Sequence, residues 1–187
     1  RAAELQAQER PVCLAIGFFD GVHLGHQQVI RQAVSDAAQR EGWAVALTFD
    51  SHPKSIVAPD RVPPLLYSLD QKLRAIAGLG VDATLLLHFD QSLSQKPVEI
   101  FVRELVREFA RIDSICVGST FSFGFRRSGN VELLRRLGQE LGFGVHGLAA
   151  VALDGQAVSS TRIREAVCRG QLDYASQMLG RPYALAG

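Results

Sequence analysis

The sequence predicts an α/β fold in one domain, a parallel β-sheet with helices on both faces. Three observations predict it. Short apolar runs alternate with longer segments of helical periodicity, the pattern of repeated strand–helix–strand units. The runs are apolar at consecutive positions, as strands buried on both faces must be. Residues capable of chemistry follow directly after those runs, at Asp20–His26, Ser51–Lys54, Ser119–Arg127 and Val158–Arg164. In such sheets ligands bind at the carboxyl ends of the strands.

Val12–Phe19 (VCLAIGFF) is the first strand, bounded by Pro11 and the Asp20-Gly21 turn signal. A helix follows over Gly25–Glu41, with Val29, Ile30, Ala33, Val34 and Ala37 at helical spacing. Gly42 is the expected left-handed residue at its end. Trp43–Phe49 is the second strand, and Ser51–Tyr67, with four prolines, is a long loop of the kind that often carries function. Leu69–Leu79 reads as a helix and Ala83–Phe89 as the third strand. Pro97–Ala110 is a helix with Pro in its first turn, where the missing N–H costs little. Ser114–Val117 lies in the fourth strand, and Ser119–Ser128 is a loop rich in Phe, Gly and Arg. Val131–Leu141 is a helix, Phe143–Leu153 contains the fifth strand, and Ser160–Cys168 and Leu172–Leu179 are closing helices.

The 187 residues suffice for one domain, with its core at 12–153 and a closing helical segment at 158–187. A net charge of +1 argues against a broad nucleic-acid surface. The three cysteines are too few and too widely spaced for a disulfide framework or a zinc knuckle. Cys13 and Cys116, in strand runs, read as buried hydrophobes, and reduced cysteines point to the cytoplasm. No run approaches the ~20 apolar residues of a membrane span, so no membrane partner is expected. No basic-then-apolar leader opens the chain. It begins at Arg1 rather than Met, which suggests a piece of a longer protein.

Two constellations carry chemistry. In Gly17-Phe18-Phe19-Asp20-Gly21-Val22-His23-Leu24-Gly25-His26, glycines permit a tight turn at the start of a helix. The free N–H groups of that helix attract an anion. His23 and His26 share one side of its first turn and can donate hydrogen bonds to phosphate oxygens. No Gly-Lys-Ser/Thr follows, so this is not a Walker A loop, and no HExxH arrangement is present. In Val158-Ser159-Ser160-Thr161-Arg162-Ile163-Arg164, three hydroxyls can cap a helix or bind phosphate, and the arginines supply fixed positive charge. Each constellation also has a plain structural reading, as capping residues and a solvated basic turn.

Together, His-x-Gly-His after the first strand and the late Ser-Ser-Thr-x-x-Arg resemble the nucleotidylyltransferase superfamily. Two further strings, Thr48-Phe49-Asp50-Ser51-His52-Pro53 and Leu179-Gly180-Arg181-Pro182-Tyr183, narrow the resemblance. The set is similar to the FMN adenylyltransferase domain of bacterial bifunctional riboflavin kinase/FAD synthetases, in order from Val12 to Gly187. That resemblance implies the Rossmann-like HxGH nucleotidylyltransferase fold. It implies transfer of AMP from ATP to FMN, giving FAD and pyrophosphate, with Mg2+ accompanying ATP. In the family a riboflavin kinase barrel follows the Leu-Gly-Arg-Pro-Tyr segment. The chain stops at Gly187, so only the adenylyl-transfer half is expected here.

The resemblance assigns catalysis to His23, His26 and Arg164. It assigns ATP binding to Gly17, Phe18, Phe19, Asp20, Gly25, Ser159, Ser160, Thr161 and Arg164. FMN binding is expected at His52, Thr120, Phe121, Phe123 and Arg127, and no metal ligand is assigned. Two positions depart from the family pattern: Ser51 replaces the proline of Phe-x-Pro-His-Pro, and Thr120 stands where an acidic or amide residue is usual. Threonine offers a hydrogen bond but no charge. The alternatives are another phosphate acceptor, of pantetheine-phosphate or cytidylyl type, and a flavin- or ATP-binding module without catalysis.

Overall fold

The computed structural model describes residues 10–109 and 111–184. The outer limits expected at Arg1 and Gly187, and the helix end at Ala110, lie outside them. The strands are β1 (Val12–Ile16), β2 (Trp43–Phe49), β3 (Ala83–Leu87), β4 (Ile112–Gly118) and β5 (Gly144–Leu148), with a small pair β6 (Ala152–Leu153) and β7 (Gln156–Ala157). The helices are α1 (Leu24–Gln39), α2 (Lys54–Val57), α3 (Leu69–Ala77), α4 (Gln91–Gln95), α5 (Val98–Phe109), α6 (Val131–Leu141), α7 (Ser160–Cys168) and α8 (Leu172–Leu179).

The main sheet has the order β3-β2-β1-β4-β5, and every neighbouring pair is parallel. Leu14 of β1 faces Val45 of β2 on one side and Ile115 of β4 on the other. Strand order reverses between β1 and β4, the switch point at which ligands of open α/β sheets bind.

The two faces of β1 differ because successive side chains point to opposite sides. Cys13 and Ala15 meet Ala44, Ala46 and Cys116 under Ile30 and Ala33 of α1. Small side chains there let α1 approach the sheet closely. Val12, Leu14 and Ile16 face the other way, into a core of Val45, Leu47, Ile115 and Val117 covered by α5 and α6. A third cluster unites α7 and α8 with Leu66 and Tyr67. Helices on both faces of an all-parallel sheet fulfil the fold expectation.

Several local expectations change. β1 ends at Ile16, three residues short of Phe19, because the chain turns away to build the site. Gly42 is not the left-handed residue after α1; Glu41 is, at φ 50°. Gly42 is needed for a close approach, since a Cβ there would lie 2.4 Å from the Pro11 carbonyl oxygen. The proline-rich loop contains α2 and a 3-10 turn at Pro59–Arg61. α4 was unforeseen, although Asp90 caps it through the Leu93 amide at 2.7 Å. The β6–β7 hairpin was also unforeseen, although Asp154-Gly155, both left-handed at φ 53° and 73°, is a strong hairpin-turn signal.

Candidate active site

The site begins where β1 stops. Phe19 and Val22 adopt left-handed φ values of 54° and 41°, uncommon for any residue with a Cβ and strained for a β-branched one. Gly21, at φ 75°, lies between them, and a Cβ there would meet Leu66 Cδ1 at 2.8 Å. Asp20, 3% exposed, anchors the turn. Its carboxylate accepts the Leu66 amide at 3.0 Å and the Tyr67 amide at 3.3 Å, and pairs with Arg164 at 2.5 Å. The turn's carbonyls are also used. Arg181 donates to Gly21 O at 2.7 Å and Val22 O at 3.1 Å, and Gln27 donates to Val22 O at 2.9 Å and Leu179 O at 2.7 Å.

His23 is the N-cap of α1, and its Nδ1 accepts the His26 amide at 3.4 Å. With Nδ1 accepting, a neutral His23 carries its proton on Nε2 as a donor. The rings of His23 and His26 stack at 3.6 Å with 19° between planes, and His26 meets the Phe19 ring edge-on at 5.4 Å. Burial, and behind it the Arg181 charge, pushes His23 down to about 4, against a backbone hydrogen bond that raises it. Burial holds His26 well below the usual histidine range, with the His23 and Lys72 charges acting in the same direction. Both rings are therefore neutral near pH 7. His26 Nδ1 is buried and has no hydrogen-bond partner among the described residues. Gly25, in the first turn of α1, leaves room for the His23 ring, which a Cβ would approach to 3.2 Å.

The end of β2 supplies the next wall. Gly17 N–H still pairs with Leu47 O at 3.1 Å, and Thr48 Oγ1 donates to Phe18 O at 2.9 Å. His52 packs edge-on against Phe18 at 4.7 Å, and its Nδ1 accepts the Lys54 amide at 3.0 Å. Burial first and the Arg164 charge second lower its pKa, and Asp20 opposes them.

α7 closes the site. Ser159 caps it, accepting the Arg162 amide at 3.2 Å. Ser160 Oγ donates to Asp20 O at 3.0 Å, and Thr161 is exposed. Arg162 turns away to the hairpin carbonyls of Leu153 and Gln156 and to the Tyr174 hydroxyl. Arg164 spends its Nε on Pro64 O at 2.6 Å and its Nη2 on Asp20, while its Nη1 makes no bond among the described residues. The structure thus joins the two motifs, 144 positions apart, through Asp20 and Arg164. Arg164 is a latch on the turn.

The loop after β4 is placed differently. Thr120 is exposed. Phe121 stacks on Phe123 at 5.0 Å, and Phe123 meets Phe101 of α5 at 6.1 Å, so both rings pack against the core. Arg127 Nε donates to Ser122 Oγ at 2.8 Å. Among the described residues, no hydrogen bond, ion pair or ring contact joins this loop to the histidine pair or to Arg164. A cleft of about 490 Å³ opens between β3, α4 and α5, and none of the expected site residues lines it. Arg181, Gln27, Thr48 and Lys72 also bond the backbone of this candidate site, and the sequence motifs assign none of them a role. Arg181 lies inside the Leu-Gly-Arg-Pro-Tyr segment. Lys72, four residues before the fully buried Ile76, shares its helix face, which is the signal that was available.

Among the described residues no helix is long and apolar enough to cross a membrane. The FAD synthetase family model matches residues 5–162 of this chain. A bifunctional riboflavin kinase/FMN adenylyltransferase of Escherichia coli K12 is 32% identical over 182 residues, covering 97% of this chain and 58% of that protein. One of Pseudomonas fluorescens is 33% identical, with 98% and 58% covered. A protein of Geobacillus thermodenitrificans, whose name carries the same two activities provisionally, is 41% identical, with 90% and 89% covered. The chain spans 58% of the length of the first two relatives. A solved structure titled a macrolide-efflux protein from Streptococcus pneumoniae shares the fold, with a TM-score of 0.80 at 23% identity, over 96% of this chain and 59% of that one.

Proposed function

This chain belongs to the FAD synthetase family, and on that premise we propose that it transfers AMP from ATP to FMN, giving FAD and pyrophosphate. The observation that carries this reading is the neutral, stacked His23–His26 pair at the N-terminus of α1, tied through Asp20 to the Ser159–Arg164 run. An FMN phosphate oxygen attacks the α-phosphorus of ATP, the new P–O bond forms, and the α–β anhydride bond breaks. The acceptor phosphate is already ionised near neutral pH, so no general base is required. The protein's work is positioning and charge stabilisation. His23 Nε2–H, His26, the free amides of α1 and Arg164 Nη1 supply the donors, with Ser160 and Thr161 beside them. In this reading His52 and Phe18 form a wall on the acceptor side, and roles for Thr120 and Arg127 rest on the family resemblance alone.

Magnesium belongs to the substrate in this reading, carried on the ATP phosphates. The described residues offer no group of three or more His, Cys, Asp or Glu side chains suited to hold it, and Asp20 is committed to Arg164 and two amides. Mg2+ bound mainly through substrate phosphates is a common arrangement. Free cysteines at 13, 116 and 168 accord with the cytoplasm. The relatives' names place a riboflavin kinase beside this activity in the same polypeptide.

The test is incubation with ATP, Mg2+ and FMN, following FAD and pyrophosphate. His26→Ala is expected to slow turnover about 10²–10³-fold. Wild-type rates in that variant, or turnover with pantetheine phosphate in place of FMN, would overturn the assignment.

A further inference from the structure

Lys72 of α3 is 4% exposed. Its ammonium donates to Phe49 O at 2.6 Å and reaches Phe18 O at 3.5 Å, carbonyls at the carboxyl ends of β2 and β1. It also lies 4.6 Å from the centre of the Phe18 ring. Carbonyl dipoles and a ring face compensate a full charge only in part, and removing an ammonium from water is costly unless an anion meets it.

Among the described residues no carboxylate stands within ion-pair distance of Lys72. The two acids whose fields reach it are engaged elsewhere. Asp20 is taken by Arg164 and the Leu66 and Tyr67 amides. Asp50 is taken by His88 at 2.6 Å and the Phe89 amide at 3.2 Å. Burial holds the ammonium below the ordinary lysine range, with both acids opposing. The Lys72 field in turn reaches His26 and His52, one in the phosphate turn and one on the acceptor wall. A surplus positive charge therefore sits within electrostatic reach of both substrate sides.

We propose that Lys72 is a phosphate-positioning residue, a fixed counter-charge at the mouths of β1 and β2 for a phosphate oxyanion of the substrates. The inference rests on the adenylyl-transfer reading. The oxyanion comes either from the phosphomonoester of FMN or from the triphosphate of ATP. The alternative is a strut that only ties the ends of two strands.

Lys72→Met keeps the apolar stem and removes the charge. Calorimetric titration of the full chain compares FMN with riboflavin, and ATP with adenosine, so each pair differs only in phosphate. The expected result is a loss of roughly 10- to 100-fold for FMN or for ATP, whichever the charge serves. The unphosphorylated partner is unaffected, and the melting temperature is unchanged or higher. Lys72→Gln retains a donor for Phe49 O without the charge, and the same phosphate-selective loss is expected there. Equal losses within each pair, or full FMN and ATP affinity in both variants, overturn the proposal. Failure of the wild-type chain to bind FMN or ATP would instead sink the adenylyl-transfer reading beneath it.

Discussion

A neutral imidazole offers phosphate a donor without a fixed charge, and burial keeps His23 and His26 in that form. The same burial ties the fold to pH. Unfolded, His23 takes up its proton near 6.5; folded, it does so only near about 4. Between those values the unfolded chain binds more protons, so stability is full above 6.5 and is lost as pH falls through that window. For His23 alone the full span is worth about 3 kcal/mol. Asp36 and Asp50, whose pKa values are lowered, contribute stability that disappears only at more acid pH. Thermal unfolding of wild type and His23→Gln across this range should show a shallower slope in the variant. Equal slopes would mean that the ring is already protonated in the fold.

At the scale of elements, one buried ion pair fastens α7, the turn after β1 and the segment before α3. Asp20→Asn keeps an acceptor for the Leu66 amide but leaves Arg164 without its counter-charge. A loss of about 3–5 kcal/mol is expected in denaturant unfolding, as for other buried pairs broken on one side. Arg164→Met leaves the reciprocal defect. The double variant should cost clearly less than the two single losses added, because the partners act as a unit; strict additivity would refute the latch. Much of this scale was readable beforehand. β2, α6, α7 and α8 have the expected bounds, because apolar runs and caps such as Ser159 and Asn130 act locally. Gly42 departs from its expected role because its requirement is steric and comes from Pro11, on the approach to a different strand. β1 is shorter than its apolar run because Phe18 and Phe19 are as apolar as the strand they follow.

At the scale of the whole molecule, Arg181 holds the end of α8 against a turn about 160 positions earlier. It bonds Gly21 O, Val22 O, Leu179 O and the Tyr67 hydroxyl, and its guanidinium lies over the Tyr67 ring at 5.1 Å. Arg181→Met should cost about 2 kcal/mol and weaken ATP binding, with far-UV circular dichroism unchanged, since the sheet does not depend on it. Undiminished ATP affinity would show that the strained turn stands without this support. By itself the sequence determined the alternation of strands and helices, the parallel sheet and the motifs of the phosphate turn, because periodicity, caps and short spacings are properties of neighbouring residues. Only the tertiary structure decided that Arg164 grips Asp20, that Arg181 bonds the turn after β1, that Lys72 lies buried at the ends of β1 and β2, and that Phe121 and Phe123 turn to the core. Those outcomes depend on which charges meet out of water and which are left unpaired, and that follows from the packing of distant segments.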